Sequence, residues 1–186
     1  MKKYARGEMA EIILTELAYS GLILFRAMKP FAYPKISDLF GPQRGRDYER
    51  IRQALSKLQE KNLVRVVRAK EGKFLSITPQ GKTVMKKYHF RDLKLKETHK
   101  KWDGLWRVII FDIPEEKKEA RRAIGAKLRQ IGFYPLQKSA FITPHECREE
   151  IDFIGNYFNA REHICYLVSK DIEINDKVID FFKKIL

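Results

Sequence analysis

One aspartate, Asp112, has the type and position to do chemistry. It ends an apolar run, residues 107–111, and is followed by Pro114 and a charged segment that is predicted to be a helix. A carboxylate at this point could ligate Mg²⁺ for phosphodiester hydrolysis, because hard cations prefer oxygen ligands. It could equally accept hydrogen bonds from the free backbone N–H groups at the start of the helix. The pattern leaves both roles open.

The second half of the chain alternates strand and helix patterns in an order that predicts a ferredoxin-like domain. Four apolar runs predict strands, and amphipathic helices follow the first and the third run. This βαββαβ order is that of the split βαβ motif. Residues 175–186 predict a closing helix, and residues 171–174 are a candidate edge strand that could pair across a dimer. The four strands are predicted at residues 107–112, 133–137, 140–143 and 163–169.

The same topology predicts which residues meet at one end of the sheet. If the first two strands run one way and the last two run the other, Asp112, Ser139 and His163 share an end. The N-terminus of the helix after Pro114 also lies there and favours an anion. Asp112 and Ser139 are therefore the candidate catalytic residues, and Asp112 is the candidate Mg²⁺ ligand. A single carboxylate per chain supplies few ligands for a metal site, and this favours a structural role for Asp112.

Two His-x-Cys pairs, His145 with Cys147 and His163 with Cys165, supply four possible zinc ligands. An amphipathic helix of about a dozen residues is predicted between the pairs, and it would hold them nearly 20 Å apart. We therefore expect two buried thiols and no zinc site. Isolated cysteines without a secretory signal also fit a reducing compartment.

Net charge is confined to the first half. Residues 1–101 hold 24 Lys/Arg and 10 Asp/Glu, which accounts for the whole formal charge of +14, whereas residues 102–186 hold 14 of each. Such an excess attracts polyanions, nucleic acid first and anionic membrane second. The apolar stretch over residues 12–28 is interrupted by Glu16 and Arg26 and predicts a buried amphipathic helix rather than a membrane span. We expect a cytoplasmic protein.

The basic half has the pattern of a winged helix. Three helices, a two-stranded hairpin and a further helix follow one another, and the second and third helices are joined by a tight turn. The predicted fold is therefore α+β, an N-terminal winged helix-turn-helix followed by a C-terminal ferredoxin-like domain. The helices after the first are expected near residues 36–40, from residue 47 and from residue 79, and the strands at residues 63–70 and 73–78.

The helix that starts near residue 47 carries residues that could read a base sequence. Ile51, Leu55 and Leu58 share one face and are expected in the core. The opposite face is polar and cationic, and Arg can bond guanine, Gln adenine, and Lys a phosphate. The hairpin cations are expected to grip the backbone as a wing does. The predicted nucleic-acid-binding residues are Arg44, Arg46, Arg50, Arg52, Gln53, Lys57, Arg68, Lys70 and Lys73.

Several strings resemble the PaaX family of phenylacetate-catabolism repressors. They are WDGLWR at residues 102–107, FDIP at 111–114, RR at 121–122, and residues 132–145, which end in LQKSAFITPH. That family begins with a winged helix, so the resemblance covers nearly the whole chain. Its middle domain is similar to the CRISPR-associated Cas2 proteins, small ferredoxin-like dimers with an aspartate at the end of a strand, which Asp112 matches. Some Cas2 proteins are metal-dependent nucleases, and others are scaffolds for the spacer integrase.

The resemblance implies three segments: a DNA-binding winged helix at residues 1–90, a basic linker at 91–103, and a Cas2-like dimerisation domain at 104–186. The expected function is a sequence-specific transcriptional regulator, a PaaX-like repressor that binds duplex DNA as a homodimer, with an acyl-CoA as a candidate effector and no cofactor. The alternative is a Cas2-like Mg²⁺-dependent nuclease, or a CRISPR adaptation subunit with an integrase partner. A winged helix that docks another protein is a third reading.

Overall fold

Two antiparallel sheets organise the chain, one in each of two units that meet in sequence between Arg91 and Asp92. The computed structural model describes residues 8–20, 22–25, 46–69, 72–95 and 102–186. Helices accompany the sheet in both units, so the predicted α+β class is confirmed. Within the described residues, no helix combines the length and the apolar character that crossing a bilayer requires.

The described part of the first unit packs three helices against a three-stranded sheet with the strand order β1-β3-β2. Leu14 and Leu17 of the first helix and Leu75 of the sheet are fully buried, and they share one cluster with Leu55 and Leu58. The described elements are α1 (Glu8–Ser20), β1 (Leu22–Phe25), α2 (Arg46–Glu60), β2 (Val64–Ala69), β3 (Gly72–Ile77) and α3 (Pro79–Asp92).

The predicted helix over residues 12–28 is wrong in its second part. Helix α1 ends at Ser20, and Leu22–Phe25 forms a strand that pairs antiparallel with β3. A short apolar run fits a buried strand as well as a buried helix, and Gly21 follows the last helical residue, where glycine disfavours continuation. The predicted short helix at residues 36–40 lies outside the described residues.

Helix α3 begins in direct contact with the hairpin. The Thr78 hydroxyl donates to the Asn62 carbonyl oxygen at 2.7 Å and accepts from the backbone N–H of Gly81 at 3.0 Å, so Thr78 caps the helix. A Cβ atom at Gly81 would overlap the Leu63 carbonyl oxygen and lie 2.8 Å from Ile77 Cγ1. The close approach of α3 to the start of β2 therefore requires glycine.

The second unit has the βαββαβ order and an antiparallel sheet with the strand order β5-β6-β4-β7. The first and second strands of the motif both pair antiparallel with the third strand, and the fourth pairs antiparallel with the first. The first and second strands therefore run parallel to each other, as the sequence pattern predicts. The elements are β4 (Trp106–Phe111), a 3₁₀ turn (Glu115–Lys117), α4 (Lys118–Gln130), β5 (Tyr134–Gln137), β6 (Ala140–Thr143), α5 (Arg148–Tyr157), a second 3₁₀ turn (Arg161–His163), β7 (Ile164–Ser169) and α6 (Asp176–Phe182).

The two faces of this sheet are covered differently. Ile109 and Phe141 are cross-strand partners on one face, are fully buried, and lie under α4, where Arg129 stacks over the Phe141 ring. Trp106 and Val108 alternate onto the opposite face, which is covered by α6. The ring centroids of Trp106 and Phe182 are 5.7 Å apart. Helix α6 thus shields only part of its face.

The C-terminal segment confirms one expectation and contradicts another. The predicted closing helix is present as α6, and the Asn175 side chain caps it by accepting from Val178 N at 3.3 Å. Residues 171–174 are not a strand. Ile172 and Ile174 pack against the Trp106 cluster instead, which ties the segment to the face of its own sheet.

Candidate nucleic-acid interface and the Asp112 edge

Helix α2 presents one buried face and one exposed polar face. Ile51, Leu55 and Leu58 are each less than a tenth exposed, because they pack into the core with α1 and the sheet. Arg50, Gln53 and Lys57 are exposed. At 100° per residue these three lie within about 60° of each other, on the side opposite the core. They form a continuous polar stripe, which we call the α2 stripe.

Arg52 lies outside this stripe. It is about 160° around the helix from Arg50, and its Nε atom pairs with Glu49 Oε2 at 3.1 Å. Both side chains of the pair are more than half exposed. An exposed pair of this kind contributes little to stability. Arg52 and the α2 stripe therefore face different directions.

Hairpin cations lie near the tip of the β2–β3 pair. Arg68 is exposed, and the strand register pairs it with Lys73. Arg65 is also exposed and is paired with Ser76. Its side chain points to the other face of the hairpin from that of Arg68, because side chains an odd number of residues apart in a strand lie on opposite faces. Among the remaining predicted contacts, Arg46 is the first residue of α2, whereas Arg44 and Lys70 lie outside the described residues.

The strand ends of the second unit bring the predicted chemical residues together. Phe111 N donates to the Ser139 carbonyl oxygen, and Asp112 N donates to the His163 carbonyl oxygen, both at 3.0 Å. Asp112, Ser139 and His163 therefore do lie at one end of the sheet. The Asp112 side chain is exposed and forms no hydrogen bond or ion pair with the described residues. It does not cap the following 3₁₀ turn, whose first residues have no side-chain cap.

Metal-binding groups do not cluster at this end or elsewhere in the described part of the chain. No three His, Cys, Asp or Glu side chains approach closely enough there to hold a cation. The donor set that one chain offers around Asp112 thus does not fit a Mg²⁺ site by itself. Among the described residues, neither of the two His-x-Cys pairs is part of such a cluster.

The two cysteines differ, which corrects the expectation that both are buried. Cys147 is 1% exposed, and its burial raises the pKa of the thiol to about 12. Cys165 is exposed. It lies in β7 opposite Ile110, on the sheet face that α6 leaves partly open, and β7 is an edge strand. Alternation along the strand therefore turns Cys165 away from the α4 side.

A buried arginine is the residue that sequence reasoning missed. Arg107 is 4% exposed, and its guanidinium donates to Asp103, to the Pro144 carbonyl oxygen at 2.9 Å and to Glu146 Oε2 at 3.2 Å. The hydrogen bonds from Arg107 hold the pKa of the Asp103 carboxyl at about 2. The pKa of Arg107 is raised by the same pair. The segment at residues 103–107 is thereby joined to the segment that follows β6.

Comparison with known proteins adds one match. Residues 99–178 fit the family described as the PaaX protein central Cas2-like domain. This segment belongs to the PaaX-like family. A search of curated proteins found no match.

The motif residues of the PaaX-like domain are mostly structural. Asp103 and Arg107 of the WDGLWR string form an ion pair in which only Arg107 is buried, and Trp102 Nε1 donates to the Leu105 carbonyl oxygen at 3.0 Å. Arg121 donates to the Ile113 carbonyl oxygen at 3.3 Å and to Glu115 Oε2 at 2.7 Å, which fixes the chain directly after Asp112. Asp112 is a motif residue that is exposed directly after the end of β4.

Proposed function

We propose that this PaaX-like chain is a sequence-specific DNA-binding transcriptional regulator that acts as a homodimer and binds duplex DNA through a winged helix in its first unit. The order α1, α2, hairpin, α3 and the sheet order β1-β3-β2 fit that fold. The net charge supports the same assignment, because residues 1–101 carry all of it. A basic unit attached to a neutral one favours phosphate binding on the first.

The α2 stripe is the observation that carries this proposal. Its three residues combine a guanidinium, an amide and an ammonium on one exposed helix face. Arg can donate two hydrogen bonds to guanine, Gln can bond both edges of adenine, and Lys can pair with a phosphate. The buried Ile51 and Leu55 fix the rotation of the helix, so this face is held toward solvent. We restrict the proposed base-reading set to Arg50, Gln53 and Lys57, since Arg52 faces elsewhere.

The hairpin supplies phosphate contacts in this proposal. Arg68 is exposed close to the hairpin tip, and its register partner in β3 is a second basic residue, Lys73; a wing meets the backbone of DNA at this point of the fold. Such contacts fix the register of the protein on the duplex but carry no sequence information. The neutral second unit is then free to join two copies and to set the spacing of two half-sites.

The proposed contacts with DNA phosphates can be tested by the salt dependence of binding. Fluorescence anisotropy measures the affinity of the full-length chain for a mixed-sequence duplex at several salt concentrations. Each neutralised phosphate contributes about −0.9 to the slope of log affinity against log salt, so four or more contacts predict a slope steeper than about −3. Lys57→Ala should flatten the slope by about 1. An affinity that does not change with salt would remove DNA as the partner.

A Cas2-like nuclease is the second candidate, and the exposed Asp112 carboxylate favours it. A charged side chain at the end of a strand, with no partner among the described residues, has no evident structural task. If it is catalytic, wild type should cleave RNA or DNA in the presence of Mg²⁺, and Asp112→Asn should abolish the cleavage while leaving the unfolding midpoint unchanged. Glu119→Gln, an exposed carboxylate on α4, is the matched control. Equal products from wild type and Asp112→Asn, or no products from either, would exclude Asp112 from catalysis.

A further inference from the structure

Helix α2 carries an acidic side chain, Glu49, on the same outer face as the α2 stripe. At 100° per residue Glu49 lies about 40° around the helix from Gln53 and about 180° from the buried Leu58. It belongs to the first turn of α2 and precedes Gln53 by one turn. Any DNA that the α2 stripe contacts therefore also faces the Glu49 carboxylate.

The Glu49 carboxylate is accessible to a ligand. Its side chain is 53% exposed, and its Oε2 atom accepts from Arg52 Nε at 3.1 Å. Its Oε1 atom accepts no hydrogen bond from the described residues. The pair with Arg52 thus engages one carboxylate oxygen and leaves the other as an acceptor. Exposed pairs three residues apart on a helix contribute little to stability, so the pair gives Glu49 only a minor structural task.

A carboxylate at this place opposes the binding of a polyanion. Residues 1–101 hold 24 Lys/Arg and 10 Asp/Glu, so most charges in this half attract phosphates, whereas Glu49 repels them. In a major groove the carboxylate also loses water, and this cost is offset only where a base edge supplies a hydrogen-bond donor. Glu49 therefore makes the affinity depend on the base that it meets.

Few base edges supply such a donor. In the major groove guanine presents two acceptors, and thymine presents an acceptor and a methyl group. Adenine and cytosine each present an amino group, but adenine also places its N7 acceptor beside that group, where it repels a carboxylate. Cytosine N4 is thus the donor that a glutamate fits best.

We propose that Glu49 is a specificity-determining residue of α2, whose carboxylate accepts a hydrogen bond from the N4 amino group of cytosine and disfavours the other bases at that position. The contact lies one helical turn before the contact of Gln53. It adds an acidic residue to the base-reading set of the α2 stripe. This inference rests on the proposed function for the presence of duplex DNA at this helix face.

Parallel selections from a random-sequence duplex pool, with full-length wild type and with full-length Glu49→Gln, test this contact. The amide keeps the size of the side chain, removes the negative charge and can bond both N6 and N7 of adenine. We expect one position of the enriched site at which cytosine dominates the wild-type pool and is lost from the Glu49→Gln pool, with adenine gaining most.

Glu60→Gln is the matched control. Glu60 is an exposed residue of the same helix, about 20° around the axis from Glu49 but about 16 Å farther along it. Recognition helices contact base edges near their N-terminal ends, whereas Glu60 is the last residue of α2. The control removes the same charge and should leave every base preference as it is in wild type.

Fluorescence anisotropy with two duplexes that differ only at this base pair measures the strength of the contact. Wild type should bind the cytosine duplex at least about fivefold more tightly than a thymine duplex, and Glu49→Gln should distinguish them less than about twofold. The variant should also bind the thymine duplex more tightly than wild type does, because the repelling charge is gone. A residue that only stabilised α2 would weaken both complexes when replaced.

Identical base preferences in the wild-type and Glu49→Gln pools would overturn the role of Glu49 and leave DNA recognition by the α2 stripe intact. The same change of preference with Glu60→Gln would also overturn it, since the effect would then come from net charge. A wild-type pool in which no sequence is enriched would overturn the proposed function, and this inference with it.

Discussion

Arg107 shows at the scale of one residue how a family motif can serve the fold rather than the chemistry. Its guanidinium is buried and joins Asp103, Pro144 and Glu146. Arg122 on α4 forms a contrasting pair with Glu119, in which both side chains are more than 70% exposed. The two arginines belong to the same unit, so they allow a comparison of an ion pair made by a buried arginine with one made by an exposed arginine.

Arg107→Met should lower the free energy of unfolding of the second unit by roughly 2 kcal/mol, because it removes charged hydrogen bonds to the partly exposed Asp103 carboxylate and to the buried Pro144 carbonyl oxygen. Arg122→Met should cost less than about 0.5 kcal/mol. Urea unfolding followed by circular dichroism measures both changes. Similar losses in the two variants would show that the Arg107 pair does not stabilise the unit.

Asp103 also predicts an acid dependence of stability. Its pKa is lowered to about 2 from the ordinary 3.8, so its ionised form is favoured in the folded state. The resulting stabilisation is present above about pH 4 and is lost as the pH falls toward 2. Asp103→Asn should flatten this part of the profile of unfolding free energy against pH. A profile as steep as that of wild type would assign the acid dependence to other carboxylates.

For individual residues, the sequence predicted the place in the fold better than the burial and the contacts of the side chain. The pattern of strands placed Asp112 and Ser139 at one end of the sheet, which the backbone hydrogen bonds confirm. It did not predict that Arg107 is buried, since an arginine at the start of a strand normally faces solvent, and two of its partners, Pro144 and Glu146, are distant in sequence. It also did not predict that Cys165 is exposed, because the edge position of β7 is a property of the assembled sheet.

Two helical glycines make opposite predictions at the scale of the element. Gly81→Ala should destabilise the first unit by more than about 2 kcal/mol, because the added methyl would overlap the Leu63 carbonyl and force α3 away from the hairpin. Gly125→Ala should stabilise the second unit by roughly 0.5–1 kcal/mol, because its Cβ would meet only ordinary contacts, at 3.5 Å or more. Thermal unfolding of each variant measures these effects. A tolerated alanine at Gly81 would contradict the close packing of α3.

Elements with a long and regular pattern were predictable, and short apolar ones were not. The apolar runs of β4 to β7 and the amphipathic patterns of α4 and α5 predicted the βαββαβ order. Residues 22–25 fit helix and strand equally well, and the pairing with β3 that decides between them is a long-range contact. Residues 171–174 alternate like a strand, yet Ile172 and Ile174 pack beneath α6 with Trp106.

At the scale of the whole molecule, the two units divide charge and apolar surface between them. The first half of the sequence carries the entire net charge, and the second unit exposes the apolar β7 edge. The proposed function places nucleic-acid contact in the first unit and dimerisation in the second. A symmetric dimer would present two α2 stripes and favour a palindromic operator, as twofold DNA-binding proteins do.

The most direct test of this account is the affinity of two double variants for a duplex that wild type enriches from a random-sequence pool. Arg50→Ala with Lys57→Ala removes two charges from the α2 stripe, and Arg52→Ala with Lys61→Ala removes two exposed charges nearby. We expect the first to weaken binding at least about tenfold, since a base contact is worth about 1–3 kcal/mol, and the second to weaken it less than about threefold. Equal losses, or a pool from which no sequence is enriched, would contradict DNA recognition by this helix face.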